Sequence, residues 1–378
     1  MKVNDYILFS KMILISLICF LACNNVEYAN QKSKNKTSEI QKTKSKKTSF
    51  QSKIYEPKDA RLGRFQYYDF LAPRCHKMNQ LTNTNLMEVQ ILEIRKENLE
   101  QFFEVEKELT NLEALMIVYT QIDMDSFEKL ISSLSTKQYF KKLILNHNGL
   151  REIPSNISKL KKLITLDLSF QEFKKLPEEI TQLSDLTYLR VAKNKSLVEL
   201  PASLGNLSKL KILEFGGTNM RSIPLSIGEL SDLENITGNA CQLKSIPEGI
   251  GRLRLLKSIN LGYNKITAIP SQIGECANLE YLAIDDNSLN EIPQELGNLT
   301  KLKSCGLSGN KLKEFPRELL SSKDLISLIL HGNNFTSIPM EITELKQLKI
   351  LYLDANKINK DRLEAIKSEL PLLEIKNR

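Results

Sequence analysis

Residues 279–301 read LEYLAIDDNSLNEIPQELGNLTK. Leu282 and Ile284 alternate at period two, as on a short strand with one buried face. Asn287 ends the alternation, Ile292-Pro293 follows, and Leu296 and Leu299 complete the unit. The apolar-Pro pair recurs at Ile153-Pro154, Leu176-Pro177, Leu200-Pro201, Ile223-Pro224, Ile246-Pro247, Ile269-Pro270, Ile292-Pro293, Phe315-Pro316 and Ile338-Pro339. Successive prolines are 23 residues apart, with one step of 24, and nine of the 12 prolines share this phase. Composition alone does not produce such spacing; it marks a repeat array.

Aligned on proline, the unit is LxxLxLxxNxLxxLPxxIxxLxx. The first strand leucine falls at Leu92, Leu115, Leu143, Leu166, Leu189, Leu213, Ile236, Ile259, Leu282, Cys305, Leu328 and Leu351. One such strand cannot hide its apolar face. Copies stacked about 4.8 Å apart form a parallel sheet over one continuous core. Asn at the bend pairs with backbone groups that the turn leaves buried. Proline has no N–H to satisfy and a fixed φ, which suits an outer extended or 3₁₀ segment. The step from Leu115 to Leu143 is longer, and Phe127, Leu130, Ile131 and Leu134 predict a helix over Ser126–Leu134. Leu363, Ile366 and Leu370 predict another over Lys360–Leu370, followed by a strand at Leu372–Ile375.

One repeat departs from the pattern. Ile236-Thr237-Gly238 has Gly where the second inward leucine belongs, and Cys241 replaces the Asn. Phe215, at the equivalent position one repeat earlier, is expected to lean over Gly238 and fill the void.

The unit resembles the leucine-rich repeat family in its 23-residue form, as seen in bacterial lipoproteins of the spirochaete type. The resemblance implies an α/β right-handed solenoid, a horseshoe of about 12 repeats. It has a parallel concave sheet, convex 3₁₀ or extended segments and a cap at each end.

The chain has 378 residues and a net charge of +8. Residues 1–64 hold 13 bases against 5 acids, and the remainder holds 40 of each. A neutral body argues against a nucleic-acid-binding fold. The front divides further. Lys2 and Lys11 precede the uncharged apolar run Met12–Ala22, which as a helix rises only about 16 Å against the ~30 Å of a bilayer core. It reads as a signal peptide over 1–22, and Phe20-Leu21-Ala22-Cys23 resembles a lipobox with Cys23 as the lipid-attachment residue. Residues 23–64, rich in Lys, Ser and Thr, are expected to be a disordered tether. Residues 65–91 are expected to form the N-terminal cap, with Tyr67, Tyr68, Phe70 and Leu71 as its apolar material. The repeats run over 92–359 and the C-terminal cap over 360–378.

No catalytic or nucleotide-binding motif opens any segment, so no enzyme, cofactor or metal site is expected. Cys75, Cys241, Cys276 and Cys305 read as unpaired apolar cysteines, and His76, His147 and His331 as surface residues. Asp285-Asp286 reads as solvated surface. Family members generally bind partners on the concave sheet. The candidate ligand-binding residues there are Phe170, Tyr188, Arg190, Lys193, Glu214, Thr237, Asn260, Tyr263, Tyr281, Asp285, Asp286, His331 and Tyr352. Tyr and Arg are the types enriched in binding hot spots. Gly216 and Gly217 are expected to leave a shallow floor between two clusters.

The expected function is non-catalytic binding of a protein or glycan by a monomer held on a membrane through acylated Cys23. The expected location is the outer membrane, the cell surface or the periplasm. An envelope scaffold and a cytosolic regulator are the alternatives.

Overall fold

The structure is a computed structural model that describes residues 75–78, 81, 86–96 and 99–376. The Met12–Ala22 run, Cys23, the tether and Tyr67 to Leu71 lie outside the described residues.

The strands are β1 (Cys75–Lys77), β2 (Ile91–Arg95), β3 (Ala114–Val118), β4 (Lys142–Asn146), β5 (Thr165–Asp167), β6 (Tyr188–Arg190), β7 (Ile212–Glu214), β8 (Asn235–Thr237), β9 (Ser258–Asn260), β10 (Tyr281–Ala283), β11 (Ser304–Gly306), β12 (Ser327–Ile329), β13 (Ile350–Tyr352) and β14 (Glu374–Lys376). They form one sheet in strictly sequential order. From β2 to β14 every neighbouring pair is parallel. The register aligns Leu92, Leu115, Leu143, Leu166, Leu189, Leu213, Ile236, Ile259, Leu282, Cys305, Leu328, Leu351 and Ile375 as one row of Cα partners. The strand count is fourteen where the repeats alone give twelve, because β1 and β14 extend the sheet at its two ends. Among the described residues three α-helices accompany the strands: α1 (Glu100–Val105), α2 (Met124–Ser135) and α3 (Lys360–Glu369). The Asp123 side chain accepts from Ser126 N at the start of α2. The sequence pattern did not point to α1, a short helix that buries Phe102.

In eight of the nine repeats that carry the proline, the outer segment is a 3₁₀ turn that begins directly after it, as at Gln294–Asn298; after Pro201 the turn begins at Leu204. The position four residues after the proline is Gly205, Gly228, Gly251, Gly274 and Gly297 in five successive repeats. A Cβ at Gly205, Gly228 or Gly251 would stand 2.7, 2.5 or 2.6 Å from the carbonyl oxygen of Ser226, Gly249 or Gln272 in the next repeat. Gly274 meets Glu295 in the same way. Glycine therefore lets the outer turns approach one another backbone to backbone.

At the bend, Asn287 Nδ2 donates to Leu261 O, Ile284 O and Asp285 O at 3.0, 3.2 and 3.0 Å, and Oδ1 accepts from Ile266 N at 2.9 Å. Asn310 repeats this pattern one unit on. Gln171 does the same work with a longer arm, donating to Leu145 O and accepting from Asn148 N and Leu150 N. Cys241 offers only weak contacts, its thiol 3.4 Å from Phe215 O. In that repeat the ring of Phe215 covers Gly238 so closely that no Cβ fits between them. Cys241, Cys276 and Cys305 are free and buried. Burial pushes the Cys276 thiol up to about 12.

Candidate ligand-binding face

The core leucines point to one side of the sheet, so the alternate residues line its inner face. Four rows run along it. The row before the core leucine carries Tyr188 and Tyr281. The row after it carries Arg190, Glu214, Thr237, Asn260 and Tyr352. The third row, just past the strands, holds Asp285 and His331. The fourth is a turn position with positive φ in every repeat, including Tyr119 (58°), His147 (57°), Phe170 (59°), Lys193 (61°), Tyr263 (56°) and Asp286 (51°). Phe170, Lys193, Tyr263 and Asp286 thus stand on the turn that rims the sheet, not on the strands. Gly217, Gly309 and Gly332 occupy the same row, where glycine avoids the strain of a left-handed backbone.

Both expected clusters, Phe170, Tyr188, Arg190 and Lys193 on one side of the Gly216-Gly217 floor and Tyr263, Tyr281, Asp285 and Asp286 on the other, are built differently from the sequence expectation. Arg190 is clamped between neighbouring strands, 3.3 Å from the Asp167 carboxylate and 3.0 Å from Glu214. Asp167 is buried and also accepts from Ser169 N and Oγ at 2.9 and 2.6 Å. The Tyr188 hydroxyl bonds to Glu214, whose carboxyl is nevertheless raised above its ordinary value by burial. The Arg190 charge is thus spent inside the sheet face. The expected Gly216-Gly217 floor is filled: the Asn239 side chain packs over Gly216 and the Lys193 side chain over Gly217.

Asp285 is buried, at 9% exposure, rather than solvated. It accepts from Ser308 N and Oγ at 3.0 and 2.5 Å and lies over Gly306, whose missing side chain makes the room. Burial raises its carboxyl despite those bonds. Asp286 remains part-exposed, is raised by burial and is held down by the Tyr263 hydroxyl. His331 faces both acids closely enough to lower them. Tyr281 is half-buried, its phenol pushed up to about 12 by burial and by Glu280. Tyr352 accepts from Lys376 Nζ at 2.8 Å.

An aromatic stack not expected from the sequence runs along the rim. Tyr119, His147 and Phe170 stack along the rim with centroids 4.5 and 4.2 Å apart. The signal was Gly at the residue before the bend Asn in two repeats, Gly309 and Gly332, which marks that row as left-handed.

Two family models match the chain: a leucine-rich repeat region over residues 138–233 and a leucine rich repeat over 254–312. Among solved structures, a leucine-rich repeat protein of Leptospira interrogans shares 25% identity over 78% of this chain and 97% of that chain, with a TM-score of 0.41. A TDR receptor shares 27% over 74% of this chain and 49% of that chain, at 0.62. The functional domain of InlJ from Listeria monocytogenes shares 19% over 79% and 63%, at 0.57. The chain spans about half the length of the TDR receptor chain. A comparison with curated protein sequences gives no match. Repeat pattern, sheet and outer turns together define a solenoid of the kind used for protein binding. The chain is a leucine-rich repeat protein.

Proposed function

We propose that this protein recognises a protein or glycan ligand on the inner face of β6–β13, without catalysis, as an extracytoplasmic lipoprotein. The observation that carries the binding reading is the half-exposed aromatic and amide lining of that face. Tyr188, Tyr281, Thr237, Asn260, Tyr263 and Tyr352 are each part-exposed on a floor of short side chains. Half-buried tyrosines offer large contact area at small entropic loss, which is how binding surfaces concentrate energy in few residues.

The lipoprotein reading rests on the sequence of residues 1–23, with the uncharged Met12–Ala22 run ending at Cys23. The Lys-rich segment after it would hold the recognition face away from the membrane. Mass spectrometry of the N-terminal peptide is expected to show acyl chains on Cys23; an unmodified Cys23 removes the anchor. Protease treatment of intact cells is expected to digest the repeats. Protection would favour an envelope scaffold facing the periplasm. For the binding face, capture of a ligand by the protein is expected to fall at least ten-fold in the double variant Tyr263→Ala/Tyr281→Ala. Undiminished capture would move the site off β9 and β10.

A further inference from the structure

The body that is neutral in total is not neutral everywhere. Residues 137–175 carry nine basic side chains against three acidic ones. Part of this excess gathers on the turns that lead from the outer segments back into the strands. In later repeats, lysines on these turns meet a carboxylate in the neighbouring repeat. Lys209 lies 2.7 Å from Asp185, Glu234 bridges Lys211 and Lys257 at 3.8 and 2.6 Å, and Lys303 lies 2.8 Å from Glu280. Among the described residues, no carboxylate lies within ion-pair distance of Lys159, Lys161 or Lys162.

Those three lysines surround a cavity of about 120 Å³ between the end of α2 and the following outer turn. Its floor is Leu134, Phe140 and Leu160, and Lys137 completes the rim. Lys137 is 7% exposed at its side chain; its ammonium donates to the Glu106 carbonyl and stands 4.0 Å from the Glu106 carboxylate. That pair cancels. The negative end of α2 offsets about half a charge more. More than two positive charges therefore remain around a concave apolar floor. The lysine stems line it; the Lys162 ammonium donates weakly to the Gln138 carbonyl at 3.4 Å, which leaves its charge uncancelled.

We propose that this cavity binds a phosphate group, free or carried on a lipid headgroup, separately from the inner-face site. Three lysines in flexible rotamers suit a tetrahedral anion approached as point charges. The test uses the full-length protein in two arms. In the first, inorganic phosphate is titrated calorimetrically into the protein and into Lys161→Ala/Lys162→Ala. In the second, sedimentation with vesicles of phosphatidylglycerol and phosphatidylcholine is compared with vesicles of phosphatidylcholine alone. Lys209→Ala/Lys211→Ala, on equivalent turns whose lysines are already paired, is the control. A ten-fold or greater weakening in the first variant, with the control unchanged, supports the site. Its appearance in the phosphate arm assigns free phosphate, and its appearance only with phosphatidylglycerol assigns a headgroup. Equal binding by protein and variant in both arms, or an equal loss in the control, overturns the proposal.

Discussion

On the outer side of the solenoid, the fourth residue after the proline is glycine from Gly205 to Gly297. On the inner side, the residue after the core leucine changes from Arg190 to Glu214, Thr237, Asn260, Ala283, Gly306, Ile329 and Tyr352. The contrast follows from what each position touches. From Gly205 to Gly274 an outer Cβ would meet a carbonyl oxygen of the next repeat, so glycine is what fits there. An inner side chain meets only its row neighbours and the space above the sheet, so its identity is free to vary. The inner face is itself divided. Strands β6 to β10 and β13 bury only their central residue, whereas β3 is buried along all five residues and Ile144 in β4 is fully enclosed. The readable surface therefore begins near β6.

The largest expected effect tests the framework that both sides share. Asn287→Leu leaves three carbonyls and one N–H buried without their partner, and should lower stability by about 3 kcal/mol or more in urea unfolding. A loss under about 1 kcal/mol would mean the bend does not depend on its amide. The division of the inner face is tested by Ile144→Ala against Ile329→Ala in the same row. The first should cost about 2–4 kcal/mol and the second about 1 or less. Equal losses would erase the division. For the outer ladder, Gly274→Val should cost about 1–3 kcal/mol through overpacking. If it is tolerated, the close approach of the turns is not a constraint.

The smallest effect concerns charge. Burial raises the Asp285 carboxyl above its ordinary value of 3.8, so the folded state holds its proton to higher pH than the unfolded chain does. The contribution of this group is complete at acid pH and is lost as pH rises through the raised value. Asp285→Asn should therefore flatten that fall and raise stability at pH 7 relative to pH 4, by about 1 kcal/mol or less. A steeper fall in the variant would reverse the assignment.

The leucine row, the bend asparagines, α2 and α3 were all legible, because each is set by local periodicity against a common core. Even the Phe215 cover of Gly238 followed from stacking one repeat on the next. The burial of Asp167 and Asp285 was not legible. Each is enclosed by residues of the next repeat, Arg190 above Asp167 and Ser308 beside Asp285, so its own strand carries no mark of it. The glycine ladder was present in the sequence at fixed spacing from the proline. Its meaning lies in backbone contacts between repeats, which apolar periodicity does not report.

The proposed function puts recognition on the inner face from β6 onward and leaves the outer side as scaffold. A photo-crosslinking residue placed in turn at Tyr281 and at Leu225, an exposed outer position, tests it directly in intact cells. A ligand adduct is expected from position 281 and none from 225. Adducts from 225 alone, or equal yields from both, would contradict it.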